Sequence, residues 1–340
     1  MSSINSLSQN YMTRGHMRTM QDAMGELQRK ISSGYNSQSY GGYGATDGVT
    51  VVDLRNDVKR LESYQKTITV LDARAERVDI AYGRMSELGS AIRNDALKLS
   101  VRGIEPSLLQ NSAKVALSQA IDQLNSQVSG HFVFSGQAAG QPAIIDFQQL
   151  QTNFTTSMAN EIAMNPPLRD DPAAFMATAQ AWFADTTNWY TGGPASSSIN
   201  IGDNRKVTPE GQGDAPEIGG FLASMAVIAF TSFDPAAPAT ADFSTRLNYE
   251  QLIEDATTRL GSAVDLTEAS RSRNGALRAS MESQSTIYAD LLLSFGQSLN
   301  DIEQVDMPEA IARLNQYQST LQATYKVESE MRQLSLAMFL

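Results

Sequence analysis

Apolar residues recur along this chain at alternating steps of three and four, first in a short seam and then in a long one. Met17, Met20, Met24, Leu27 and Ile31 follow one another at spacings of 3, 4, 3 and 4, which keeps one face of a helix apolar. Ser32-Ser33-Gly34 ends that helix, and the glycines of Tyr40-Gly41-Gly42-Tyr43-Gly44 mark a loop. The second seam runs from Val51 through Leu54, Val58, Leu61, Ile68, Leu71, Ala75, Val78, Tyr82, Met85 and Ile92 to Leu99. Asp47 is the expected N-cap, and Gly103 with Pro106 the expected stop. About 50 residues at 1.5 Å each make a rod of roughly 75 Å, so an elongated molecule is expected unless Gly83 or Gly89 breaks the helix. A further helix is predicted over about 106–128.

The pattern changes between about 131 and 245. Most of the prolines lie here, from Pro142 to Pro238. Short alternations at His131–Ser135, Ala143–Phe147 and Ser198–Val207 predict strands, while Pro172–Phe183 and Gly219–Phe230 predict short helices. Helical spacing returns from Leu247, with the polar residues Ser270, Asn274, Gln284 and Ser298 interrupting the apolar stripe. Met307-Pro308 starts one more helix, Pro308 fitting its first turn. Long seams at both ends must bury their apolar stripes, and packing on each other is the economical solution. The predicted fold is mainly α. It is an elongated antiparallel helical bundle or coiled coil formed from both chain ends, with a small inserted α+β domain. The expected divisions are 1–40 and 307–340 as assembly segments, 41–130 and 247–306 as bundle halves, and 131–246 as an outward-facing domain. Single helices as long as the two end segments are marginal alone and are expected to order by packing against other subunits.

Composition removes whole classes of function. There is no cysteine and there are two histidines, His16 and His131, so disulfides, thiolate chemistry and histidine-rich metal sites are excluded. The net charge of -11 disfavours nucleic acid and anionic membrane as partners. The longest apolar run, Phe221 to Phe230, is about half of the roughly 18 residues needed to span a bilayer, so no membrane insertion is expected. The first residues, MSSINSLSQNYMTRGHM, lack an apolar h-region and are not expected to form a cleaved signal peptide.

No constellation for catalysis or cofactor binding emerges. Gly41-Gly42-Tyr43-Gly44 lacks the lysine of a phosphate loop and reads as a tight turn. Asp170-Asp171 before Pro172 reads as a solvated helix start. His131 reads as a structural histidine, and Trp182, Phe183, Trp189 and Tyr190 as core of the middle region rather than a sugar-binding patch. The expectation is a protein that is not an enzyme and carries no cofactor or metal.

Three segments carry a resemblance. LQRKISSG at Leu27–Gly34 is similar to the helix ending of the bacterial flagellin superfamily. QVSGHFVFSG at Gln127–Gly136 and the C-terminal QYQSTLQATYKVESEMRQLSLAMFL from Gln316 resemble the hook–filament junction (FlgL-type) branch of that superfamily, whose chains finish in Leu-Ser-Leu and a nearby Leu. The resemblance covers both ends and skips most of the middle. Two departures stand out: Ser37-Gln38-Ser39-Tyr40 replaces the family's turn after the first helix, and Ser86-Glu87-Leu88 carries serine where flagellins have arginine.

The resemblance implies a motility protein of the extracellular flagellum, exported without a cleaved signal and helped by an export chaperone. It would join the hook to the flagellin filament. Its partners would be further copies of itself in a ring or helical array, a neighbouring hook-associated protein, and flagellin. A second reading is flagellin itself; a third is a helical signalling or adhesion module, which would normally require a membrane anchor or signal peptide. The expected assembly contacts are Ile4, Leu7, Met17, Met20, Met24, Leu27 and Ile31 at one end. At the other they are Leu321, Tyr325, Met331, Leu334, Leu336 and Leu340.

Overall fold

The computed structural model describes residues 2–102, 105–233, 243 and 245–337; the side chains of 2–10, 99–102, 169 and 332–337 lie outside what it describes. Along the chain come α1 (Ser2–Ser33), α2 (Ala45–Arg102) and α3 (Pro106–Leu124). A hairpin of β1 (Gln127–Val128) and β2 (His131–Phe132) follows, then α4 (Phe147–Met164) and α5 (Pro172–Ala184). A second hairpin, β3 (Ile199–Gly202) and β4 (Arg205–Val207), leads into α6 (Pro216–Phe230), α7 (Arg246–Glu303) and α8 (Met307–Ala337). Both hairpins are antiparallel and two-stranded. The protein is therefore mainly α, with a minor strand content confined to the middle of the chain. No described helix is long and apolar enough to cross a membrane.

Helix boundaries follow the local chemistry. The first helix stops where Gly34 takes a φ of +77°, a left-handed conformation that costs glycine little. The second starts two residues before the expected cap, so that Asp47 sits in its first turn, where a carboxylate complements the helix dipole. It continues without a break through Gly83 and Gly89. Pro106 occupies the first turn of α3, where no amide hydrogen is required.

The middle of the chain differs from its sequence reading in several places. The helix expected to 128 ends at Leu124, and the strand expected over His131–Ser135 covers only His131–Phe132. A helix, α4, stands where none was expected. Ala143–Phe147 forms no strand beyond an isolated bridge between Ile144 and Tyr190. Helix α4 begins at Phe147, with the Asp146 side chain accepting from the Gln149 amide at 2.8 Å. Leu150, Phe154 and Met158 recur every fourth residue and are all buried, which makes this segment a helix whose buried side is only one residue wide per turn.

The structure divides into two compact units. One consists of Tyr64–Thr286 and holds a continuous core. Its centre is α6, where every residue from Phe221 to Ala229 is buried, as befits a helix that is apolar on all sides. Leu109, Ala113, Ala116, Leu117, Ala120, Ile121 and Leu124 give α3 a buried face of small and branched side chains that packs against α6. The aromatic residues of the middle region join the same core. Trp182 meets Phe183 and Phe154 edge-on, at centroid distances of 4.8 and 5.5 Å. Trp189 is buried, and its indole nitrogen donates to the Phe183 carbonyl at 2.9 Å. His131, by contrast, is exposed on β2 rather than built into the core.

Within this unit α2 and α7 run antiparallel. Arg278 pairs with Asp72 at 2.9 Å, and Arg271 with Asp79 at 2.9 Å. Between them the buried Asn274 amide donates to the Ala75 carbonyl at 2.7 Å. Of the polar residues that interrupt the α7 stripe, Ser270 and Asn274 are buried and Gln284 is half-buried; Thr267 is buried as well.

The other unit combines the residues up to Ser63 with those from Ile287 onward. Its main feature is the packing of α1 along α8.

Candidate assembly interface

The two terminal helices meet through matched stripes. On α1, Thr13, Met17, Met20, Met24, Leu27 and Ile31 are buried or half-buried; on α8 the same holds for Ala310, Leu314, Tyr317, Leu321, Thr324 and Glu328. Steps of four and three alternate along both, so each helix turns a single seam toward its neighbour. The Gln21 amide donates to the Tyr325 hydroxyl at 3.0 Å across the pair. With Gly34 beside Val305 at the other end, this contact makes the two helices antiparallel.

A two-helix layer covers one side of each helix and leaves the other open. Large apolar residues on both helices remain exposed: Tyr11 and Met12 on α1, and Ile311, Tyr325, Val327 and Met331 on α8, each between 45% and 74% exposed. The buried apolar side chains of this unit are few. Among the described residues they are Met17, Val51, Leu61, Tyr288 and Ala310, whereas the Tyr64–Thr286 unit supplies all the rest.

The expected contact residues therefore separate into groups. Met17, Met20, Met24, Leu27, Ile31 and Leu321 lie in the seam between α1 and α8. Tyr325, bonded to Gln21 across the pair, is 47% exposed, and Met331, at the next position in the seam spacing, is 55% exposed. Ile4 and Leu7 belong to α1, and Leu334 and Leu336 to α8, but their side chains are outside the described residues, as is Leu340 altogether.

Periodicity gave no warning of the junction that ties this unit together. The chain leaving α1 lies against the turn between α7 and α8. There Asn36 donates from its backbone to the Glu303 carbonyl at 2.7 Å and from its side chain to the Ile302 and Gln304 carbonyls at 3.0 and 2.9 Å. Val305 returns a bond to the Gly34 carbonyl at 3.1 Å. The Glu303 carboxylate, with a side chain 11% exposed, pairs with Arg55 of α2 at 2.8 Å. Arg55 also donates to the Tyr40 hydroxyl at 3.1 Å and stands over the Tyr40 ring. The Glu303 bond raises the Arg55 pKa further above its usual range. Burial, with Glu303 nearby, pushes the Tyr43 hydroxyl up as well.

Elsewhere the geometry is structural. Asp171 caps α5 by accepting from the Ala174 amide at 3.0 Å, and Tyr40–Tyr43 is one turn of 3-10 helix. No group of three or more histidine, aspartate or glutamate side chains is placed to hold a metal among the described residues.

No protein-family model matches this chain, and no curated protein sequence matches it at a significant level. Solved structures do. One is described as a flagellar hook-associated protein from Vibrio parahaemolyticus, with a TM-score of 0.50 and 11% identity over 75% of this chain and 96% of that one. Another is FlgL of Bacillus cereus, with a TM-score of 0.50 and 10% identity over 73% of this chain and 98% of that one. At such identities the likeness is one of fold, and about a quarter of this chain falls outside each match. In fold, this chain resembles the flagellar hook-associated proteins of the FlgL type.

Proposed function

We propose that this protein is a non-enzymatic structural subunit of the bacterial flagellum that joins the hook to the flagellin filament. The observation that carries the reading is the set of large apolar residues left exposed on α1 and α8: Tyr11, Met12, Ile311, Tyr325, Val327 and Met331. Large apolar side chains left in water favour association, and full burial of each would contribute roughly 1.5–3 kcal/mol. The FlgL-type fold supports the same reading.

In this proposal residues 1–40 and 307–340 pack between copies in a ring or helical array, and 131–246 faces outward. The neighbours are a hook-associated protein on one side and flagellin on the other. The subunit reaches the cell exterior through the flagellar export apparatus, with an export chaperone before that. Of the expected contacts, Tyr325 and Met331 act directly between subunits, together with Ile4, Leu7, Leu334, Leu336 and Leu340. Met17, Met20, Met24, Leu27, Ile31 and Leu321 act by holding α1 and α8 together.

The test is assembly of purified monomer with and without hook fragments, followed by negative-stain electron microscopy. A short zone at the hook end, onto which flagellin then grows, is the expected result. Long filaments from the protein alone would make it flagellin instead. Removing the last ten residues should leave a folded protein by circular dichroism that no longer assembles; assembly of the truncated chain would sink the proposal.

A further inference from the structure

We propose that the Gly34–Tyr43 loop is a clasp on the α7–α8 turn, with Arg55 and Glu303 as its positioning residues, and that closing it sets the α1–α8 layer in its assembly-competent pose. The second half of this statement rests on the flagellar reading; the first half does not.

Four features place the clasp here. The bonds linking Gly34 and Asn36 to Ile302, Glu303, Gln304 and Val305 form a short antiparallel splice between segments distant in sequence. Asn36 is the centre of it, making three of those bonds through its backbone and side chain. A carboxylate then meets a guanidinium that is less sheltered than itself: Glu303, 11% exposed, has Arg55, 45% exposed, at 2.8 Å, and Arg55 reaches on to Tyr40 in the loop. The loop itself is held down at both ends of its 3-10 turn. Tyr43 donates to the Ser37 carbonyl at 2.7 Å, and a Cβ on Gly48 would come within 2.5 Å of the Tyr40 carbonyl oxygen.

The geometry explains why an ion pair stands there. The antiparallel layer of α1 and α8 has a shallow seam, and sliding or splaying of the two helices would cost little in buried area. A carboxylate largely removed from water needs its partner, and losing that partner costs more than losing a fully exposed pair, though less than in a pair buried on both sides. Arg55 projects from α2, so the pair links three segments of this unit: the start of α2, the loop, and the turn into α8. Helix pose is thereby fixed by a few directional contacts at one end and left to the weak seam elsewhere.

Charge reversal tests it. Arg55→Glu and Glu303→Arg should each speed hydrogen exchange at the Asn36 and Val305 amides by about tenfold or more, since each opens the splice locally. The double reversal should restore slow exchange. Arg55→Lys keeps the charge without the second arm to Tyr40 and should give an intermediate rate with unchanged circular dichroism, which separates an open clasp from a misfolded chain. Unchanged exchange in all three single variants would overturn the clasp. In the assembly assay the single reversals should fail to add to hook fragments and the double reversal should recover. Normal assembly of a variant whose exchange shows an open clasp would overturn its functional role. Failure of the unaltered protein to assemble, with exchange responding as expected, would overturn the flagellar reading and leave the clasp standing.

Discussion

Asn274 on α7 donates to the backbone carbonyl of Ala75 on α2 at 2.7 Å, and its own side-chain oxygen has no hydrogen-bond partner among the described residues. It is fully buried, in a position that an apolar residue would fill in a stability-optimised seam. The arrangement trades stability for register, because the amide finds its acceptor only when Ala75 is opposite. Two ion pairs flank it, Asp72 with Arg278 and Asp79 with Arg271. Their spacing of one heptad on each helix means that a heptad slip would still match one aspartate with one arginine, so the ion pairs alone discriminate poorly. Asn274→Leu removes an unsatisfied buried oxygen, while the Ala75 carbonyl keeps its own helical partner. It should stabilise the fold by about 1 kcal/mol. Denaturant titration measures this, and a loss of that size instead would show that the amide contributes net stability.

Two glycines on the same helix pair should respond to alanine with opposite signs. A Cβ on Gly275 meets nothing within 4 Å, so Gly275→Ala should raise stability by about 0.5–1 kcal/mol through lost backbone freedom in the unfolded chain. A Cβ on Gly89 would lie 2.6 Å from the Val264 Cγ2 and 3.0 Å from the Phe221 Cε2. Gly89→Ala should therefore cost about 1–3 kcal/mol by overpacking. Denaturation midpoints of the two variants decide it; a stabilised Gly89→Ala would mean that α2 and α7 move apart easily.

How much of this was legible in the sequence depends on how far apart the partners lie. The heptad spacing of Met17–Ile31 and of Val51–Leu99 identified α1 and α2 because each stripe is a property of one segment. Phe221–Phe230 stood out as the longest apolar run and a short helix, but its central place depends on the partners that surround it. Helix α4 was hidden, since a buried side of Leu150, Phe154 and Met158 amid polar residues is too narrow to stand out from the Ala143–Phe147 alternation before it. The polar positions of α7 read as a weak stripe, yet Ser270 and Asn274 are buried, with Thr267 beside them, while Gln284 and Ser298 are half-buried. Thr267 bonds back to the Ala263 carbonyl at 2.8 Å, and Ser270 donates to the Glu217 carboxylate at 2.6 Å. Such pairing makes burial tolerable, but it depends on tertiary partners. The clasp was out of reach for the same reason: neither Asn36 nor the Arg55–Glu303 pair has a local pattern.

Stability should fall at alkaline pH, and the tyrosines give the window. Burial, with Asp214 nearby, pushes the Tyr190 hydroxyl up to about 12, and burial does the same to Tyr249, also to about 12. Burial raises Tyr82 further, with Glu217 adding to the effect. In the unfolded chain these hydroxyls titrate near 10. A folded-state pKa above the unfolded one means that the native state holds protons the unfolded state has released. The contribution is therefore complete below pH 10 and is lost progressively as pH rises toward 12. Urea midpoints measured across that interval should decline, and Tyr249→Phe should make the decline shallower. A flat profile would contradict the buried environment of these rings.

The last prediction concerns how unevenly the molecule is held together. Amides of α6 sit inside a continuous core, so they should exchange with solvent only when the whole Tyr64–Thr286 unit unfolds. Helices α1 and α8 share one seam and are open on their other sides, so their amides need only a local opening. In dilute monomer they should exchange faster than those of α6 by on the order of a hundredfold or more. Concentration then becomes the deciding variable. If the exposed apolar residues of α1 and α8 are contact surfaces, assembly must cover them, and protection in α1 and α8 should rise toward that of α6 as subunits associate. If the two helices are already as protected as α6 in dilute solution, their stability is intrinsic. The exposed apolar residues would then no longer argue for a partner.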